Sequence, residues 1–466
     1  MPWCFDVSIA LTPPPLSPAL LLWLQGLIRE RISSSLTLFF DPDFQYWKLS
    51  CAASDAVITL RHIPALYQLG DSSALPCISW NVGAEGFKSI ELSLPAPGCD
   101  EVHQPLLTST ESGFHLNYDI PGLTYWMLAR CEEVDPPPEL LDNHQRFPAT
   151  ASHAFQHGYL ERPIVDEWLG ILRQVIRRLW PRLPLVQPQF QVVVSHDVDN
   201  PSAYAFGRKR TLARAMAVDL LKRRDLAKAV SAPWIRLKTK HHLHPRDPFN
   251  TFDWLMDTSE AAGIRSAFYF ICGRTNPSLD AKYEPEHPAI RHLMRRIHER
   301  GHEIGLHPSY NTCAHPERIA FEGERLQRIC AEEGIEQSHW GGRMHYLRWQ
   351  WPTTAHGWEQ AGFSYDSTMS YADRPGFRCG TCHPYQMFDP VDQRPLHLIQ
   401  RPLIAMECSV IAPRYLGLGY SPAALALFQR LKQRCQAVGG QFTLLWHNSH
   451  FTTEADRHLY RQVMMG

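Results

Sequence analysis

From about residue 190 onward, short apolar runs alternate with longer amphipathic stretches. That rhythm limits what the chain can fold into more than any other feature. The runs are FQVVVS, RSAFYFIC, HEIGLH, SHWGGR, FSYDS, LIAMEC and FTLLWH. Helical stretches such as PAIRHLMRRIHERG and RIAFEGERLQRICAEEG lie between most of them. Such alternation sets strands side by side in parallel and covers them with helices. Seven strands over roughly 275 residues suit an α/β barrel related to the TIM barrel.

The chain before this region reads differently. Residues 1–140 mix short apolar runs with turn clusters such as LGDSS and PAPG, without a catalytic cluster, and are expected to form a smaller accessory α/β domain. The triple proline and polar residues of CEEVDPPPELLDNHQRFPATASHAFQHGYLERP resemble a linker. VDEWLGILRQVIRRLWPRL reads as an amphipathic helix, its apolar residues recurring at three and four. Residues 141–189 are therefore assigned as linker and helix, and 190–466 as the barrel.

Composition narrows the function classes. A chain that is 44% hydrophobic and 20% charged is an ordinary soluble globular protein. A net charge of −1 gives no global attraction for nucleic acid. Twelve scattered cysteines fit free thiols in a reducing compartment. The opening stretch MPWCFDVSIALTPPPLSPALLLWLQGLI lacks a cationic start and reads poorly as a signal peptide. A cytoplasmic location is expected, and no run reaches the roughly 18 to 20 apolar residues of a membrane span. One segment departs from this balance. Residues 208–246 hold twelve Arg or Lys against two Asp. They read either as a solvated helical hairpin or as a patch for an anionic surface, such as a lipid headgroup or pyrophosphate at the inner membrane.

Ionisable residues gather at the ends of successive strands: Asp197 and Asp199, then Arg274, His307, Arg343 with His345, Asp366, Glu407 and His447. In a parallel barrel the C-terminal strand ends share one mouth, where chemistry sits. The aspartates of HDVD could simply cap the following turn. A period of two, however, points both side chains to one side. Two like charges so close raise one pKa unless a cation intervenes, and a divalent metal supplies one. In HEIGLHPSYN, a helix opened by Pro308 would put His307 and Asn311 on one face. Asp and His suit zinc; Asn is a weak ligand, and His345 competes for its place. His447, delivered by an apolar strand, suits a general acid, with His450 as a neighbour. Asp366 is the candidate to orient its imidazole, and Arg343 the charge partner of Asp197. Arg274, His345 and Arg378 are candidates to bind substrate. Cys379 and Cys382 form a single CxxC with no second pair, which favours a shaped loop over a zinc site.

The segments SHDVD, HEIGLHPSYN, GGRMHYLRW, YDST and LLWHNS occur in the order of the five motifs of polysaccharide deacetylases, carbohydrate esterase family 4. The chain most resembles the bacterial subgroup found with polysaccharide biosynthesis, which carries an extra N-terminal domain. The segment from DNHQRF to ERP resembles that subgroup's junction. The resemblance implies a deformed (β/α)7 TIM-like barrel and metal-dependent removal of an N- or O-acetyl group from a saccharide or lipid-linked sugar. It implies Asp197 as the base, Asp199 and His307 as ligands of a divalent ion such as zinc, and Asn311 where a second histidine is usual. It implies Arg343 as the arginine pairing with the base, Asp366 as the fourth-motif aspartate and His447 as the acid. The first motif departs from the family in being D-x-D.

Overall fold

The computed structural model describes residues 16–101, 104–221 and 224–465. The signal-peptide reading rests partly on residues 1–15, outside the described residues, as do Lys222 and Arg223 of the basic segment.

The first half is α/β. Strands β1 (Leu36–Asp41), β2 (Tyr46–Cys51), β3 (Ser54–Arg61), β4 (Cys77–Asn81), β5 (Ser93–Pro97), β6 (Leu107–Thr110) and β7 (Gly113–Leu116) form a five-stranded sheet, in the order β1-β2-β3-β7-β6, and a separate β4-β5 ladder. Only β3 and β7 pair in parallel. The helix Ile164–Leu179 buries Trp168, Ile171, Leu172 and Val175, the spacing of an apolar stripe.

The second half is one nine-stranded sheet. Its strands are β8 (Gln191–Val198), β9 (Ala267–Phe270), β10 (Glu303–Leu306), β11 (Gly341–Gly342), β12 (Tyr365–Asp366), β13 (Tyr385–Asp389), β14 (Arg394–Gln400), β15 (Ala405–Met406) and β16 (Gln441–Leu445). The order is β13-β14-β12-β11-β10-β9-β8-β16-β15. Every neighbouring pair is parallel except β13 and β14. All seven apolar runs join it. The β13-β14 hairpin adds two strands; its signal, the alternating RPLHLIQ after the turn DPVDQ, lies in the sequence. Among the described residues no pairing joins β15 to the β13-β14 end, so hydrogen bonding leaves the sheet open rather than closed into a barrel. Burial of all four residues of β9 fits parallel strands covered on both faces. One cover is the helix Pro288–Glu299, which buries Ile290, Leu293, Met294 and Ile297.

Two glycines allow the close approach at the centre of the sheet. A Cβ on Gly342 would overlap the Leu306 carbonyl, and one on Gly341 would overlap the Tyr365 ring. Their absence of side chain lets β11 lie against β10 and β12, which sets His307 beside Arg343.

The segment expected to be a linker is ordered and buried in part. Glu132, Glu133, Ser152 and His153 in it are all buried. Glu133 accepts from Arg130 Nη2 at 2.7 Å and from Arg378 Nε at 2.9 Å, a buried charge cluster joining the two halves. Burial would raise the Glu133 carboxyl, but the two guanidiniums outweigh it and hold it at about 2. The prolines and polar residues here make irregular chain, not a free tether, and the main hydrophobic core runs through both halves. The eleven described cysteines are unpaired. Cys379 and Cys382 are buried, and the Cys382 amide donates to Asp166 at 3.0 Å. Among the described residues no helix is long and apolar enough to cross a membrane.

Candidate metal and acid–base site

Because the strands are parallel, their C-terminal ends open on one pocket. Asp197, Asp199, His307, His345 and His447 all line it. Asp197 near the end of β8 and Asp199, the first residue after it, both point inward. His196 turns the other way, its Nδ1 2.7 Å from the Trp446 carbonyl.

Three donor atoms converge. Asp199 Oδ1 lies 3.3 Å from His307 Nε2 and 3.6 Å from His345 Nδ1, and the two imidazole nitrogens are 3.0 Å apart. The tautomers follow from the other ring nitrogens. His307 Nδ1 faces the Arg343 carbonyl at 2.5 Å, and His345 Nε2 faces the Leu279 carbonyl at 3.1 Å. Carbonyls only accept, so each of those nitrogens carries the proton. In the neutral imidazoles, the form that binds a metal, the nitrogens facing Asp199 are then bare lone pairs. Asp199 Oδ1 is itself buried without a hydrogen-bond partner. Three acceptors aimed at each other with no donor between them fit a cation. Their spacing also fits: ligands about 2.0–2.1 Å from a tetrahedral ion stand roughly 3.3–3.4 Å apart. The backbone contacts on the far ring nitrogens are the outer support such ligands need.

Asp197 is held differently. Arg343 is fully buried and donates to Asp197 Oδ1 at 2.8 Å, to Ser195 Oγ at 2.8 Å and to the Ser367 carbonyl at 2.8 Å. Asp197 Oδ2 lies 3.7 Å from His307 Nε2, on the edge of the donor cluster. The two aspartates thus have unequal surroundings: one is clamped by a guanidinium, the other faces two bare imidazole nitrogens.

His447 is oriented by Glu407, not by Asp366. Its Nδ1 lies 2.5 Å from Glu407 Oε1 and its backbone amide donates to the same oxygen at 3.1 Å. His450 Nδ1 also reaches that oxygen, at 2.7 Å. Burial opposes charge on His447, yet Glu407 overrides it and raises the imidazole well above its ordinary value. Its Nε2 points into the pocket, 3.7 Å from Asp199 Oδ2. Asp366 instead accepts from the Thr368 amide and hydroxyl, and the Thr368 hydroxyl accepts from Met344 N at 3.0 Å. It fixes the backbone beside Arg343. Burial pushes the Asp366 carboxyl up to about 6.

Three other expected residues are not brought into the pocket. Pro308 does not open a helix, so His307 and Asn311 share no helical face. The Asn311 amide donates to the Thr275 carbonyl at 3.1 Å, and its oxygen faces Arg348 at 3.4 Å. His345 occupies the third position. Arg274 turns back to the Ala281 carbonyl at 3.0 Å and pairs with Glu284. Arg378 is spent on Glu133. In their stead the former linker supplies Arg146, which lines the pocket and donates to the Tyr346 carbonyl at 2.8 Å. Tyr346 and Leu347, directly after His345, both have left-handed backbone, with φ of 61° and 56°. Non-glycine residues held there store strain of about 1–3 kcal/mol each, and such strain clusters at working sites.

Residues 37–181 match the model of a family of unknown function, DUF7033. No curated protein matches the chain. Among solved structures, a protein assigned as a polysaccharide deacetylase from Mycobacterium smegmatis is 17% identical with a TM-score of 0.38, over 60% of this chain and 83% of that one. The allantoinase PuuE is 11% identical with a TM-score of 0.34, over 60% of this chain and 84% of that one. Chains this distant share too little for the chemistry of one to be read from the other.

Proposed function

We propose that this chain is a metal-dependent hydrolase that removes acetyl groups from N-acetylated, or O-acetylated, sugars in bacterial polysaccharide metabolism. The observation that carries the reading is the convergence of Asp199 Oδ1, His307 Nε2 and His345 Nδ1 without a proton donor among them. The five motifs, met in order along the chain, supply the acetylated sugar as substrate. In this reading the parallel run from β15 to β14 is the deformed barrel of that family, open between those two strands. Zinc is the proposed ion, since one carboxylate and two imidazoles leave a fourth position free, as at catalytic zinc sites. Such an ion, when bound, activates water and polarises a carbonyl.

The chain's own groups then divide the proton work. Asp197, clamped through Oδ1 by Arg343, has Oδ2 left to accept the proton of an attacking water. His447 carries a proton on Nε2 at the pocket and gives it to the departing nitrogen or oxygen. Glu407 bears the balancing charge on the far side of the ring and keeps the imidazole in the orientation that donates inward. An acetamide thus leaves as acetate and an amino sugar, and an ester as acetate and an alcohol.

The test is acetate release by the metal-loaded protein from a panel of N- and O-acetylated saccharides. Release from at least one supports the reading. A protein that binds both metal and saccharide but frees no acetate would be a carbohydrate-binding member instead.

A further inference from the structure

We propose that the helical hairpin inserted after β8 docks the protein on an anionic lipid bilayer. Two helices, Lys209–Leu221 and Leu226–Lys238, make the hairpin. Its inner side is tied down. Tyr204 donates to the buried Asp219 at 2.6 Å, and Ala232 and Ile235 are buried against Tyr204. Arg236 donates to the Gly207 carbonyl at 2.7 Å.

The outer side is unusual for a soluble surface. Leu220, Leu221, Leu226, Val230, Trp234 and Leu237 are exposed, from 48% for Leu220 to 75% for Leu221. On the second helix, positions 226, 230, 234 and 237 fall at intervals of four, four and three. They form one stripe opposite the buried Ala229, Ala232 and Ile235. On the first helix, Lys209, Arg210, Ala213, Arg214, Ala217 and Leu221 are all exposed at helical spacing, so cations and the terminal leucines share a face. Leu220, Leu221 and Leu226 gather where the two helices meet. An apolar stripe of this size on a small element marks an interaction surface.

Charge identifies the occupant. Arg208, Lys209, Arg210, Arg214, Arg224, Lys238 and Lys240 are exposed. The two acids of the hairpin offer no counterweight, because Asp219 is buried and Asp225 pairs with Lys228 at 3.0 Å. Lys238 Nζ lies 4.5 Å over the exposed Trp234 ring. Leucines and a tryptophan flanked by lysines and arginines are what an interfacial helix presents to headgroups and acyl chains. A protein partner would need a matching acidic and apolar surface, whereas an anionic bilayer supplies both layers at once. The hairpin base also adjoins the pocket wall: a side chain on Gly207 would crowd Lys282, which lines the pocket.

The test is co-sedimentation of the full chain with vesicles of phosphatidylcholine alone and with added phosphatidylglycerol. Binding is expected to the anionic vesicles and to fall sharply with salt. Lys209→Gln, Arg210→Gln and Arg214→Gln together should weaken it on the order of 100-fold, about five-fold per charge. Leu221→Ser, Val230→Ser and Trp234→Ser together should abolish it while leaving the melting temperature and metal content unchanged. Should that variant fail to fold, the charge variant decides alone. The proposal is overturned if the wild type ignores anionic vesicles, or if the charge variant binds as tightly as the wild type. It is also overturned if sedimentation without lipid shows a dimer that the serine variant dissolves.

Discussion

Glu322 is a buried carboxyl whose ionisation the fold makes costly, and its removal has a calculable effect on stability. It sits on the helix Pro316–Glu332 and accepts from Ser309 N at 2.9 Å and from Ser309 Oγ at 2.5 Å. It thereby fixes the loop that leaves β10 just after His307. Burial is the main cause that pushes its pKa up from 4.5 to about 7; the Ser309 bonds only partly oppose it. A rise of that size, at about 1.4 kcal/mol per pH unit, corresponds to about 3 kcal/mol. The sign follows from proton counting. Between 4.5 and about 7 the folded chain keeps a proton that the unfolded chain releases. Stability from this group is therefore full below 4.5, falls as pH rises and is lowest above about 7. Glu322→Gln keeps the volume and cannot ionise. Its own offset in stability is independent of pH, so the informative quantity is the difference between the two proteins as pH changes. Urea unfolding of both from pH 4.5 to 8 should show the wild type losing about 3 kcal/mol relative to the variant. Parallel stability curves would refute the argument.

Glu407→Gln removes the carboxylate that raises His447, so the acid form is lost at lower pH as pH rises. The alkaline limb of kcat should move down, and the rate at pH 8 should fall by about 100- to 10,000-fold. An unmoved profile would contradict the pairing. Asn311→Ala should leave metal affinity in a calorimetric titration unchanged, since its side chain is spent on Thr275 and Arg348. Asp197→Asn should stop turnover and keep the ion, while Asp199→Asn should lose both; equal metal loss by elemental analysis would end that division.

The parts of the site that depend on one strand could be read from the chain. Alternation in HDVD places both aspartates on the pocket side, and a polar residue after each apolar run marks the rim. What depends on strand order could not. Asp366 and Glu407 both end strands, and nothing local says which one faces His447. The ladder decides: β15 lies beside β16, whereas β12 lies beyond β11. Helical spacing would put Asn311 beside His307, but Pro308 starts no helix and the chain there takes irregular turns instead. His345 reaches the same position from a neighbouring strand end. Arg378 and the residues around Arg146 exchange their expected roles for a similar reason. The proline-rich segment looks like a tether, but buried pairs such as Glu133 with Arg130 and Arg378 bind it across the molecule. Only in three dimensions does it bring Arg146 to the pocket.

The central claim is that Asp199, His307 and His345 together hold one divalent ion. Metal content by elemental mass spectrometry, for the wild type and for His345→Ala after equilibration with zinc, tests it most directly. One equivalent is expected in the wild type and its loss in the variant. A wild type that binds no zinc, or a His345→Ala protein that retains a full equivalent, would contradict it.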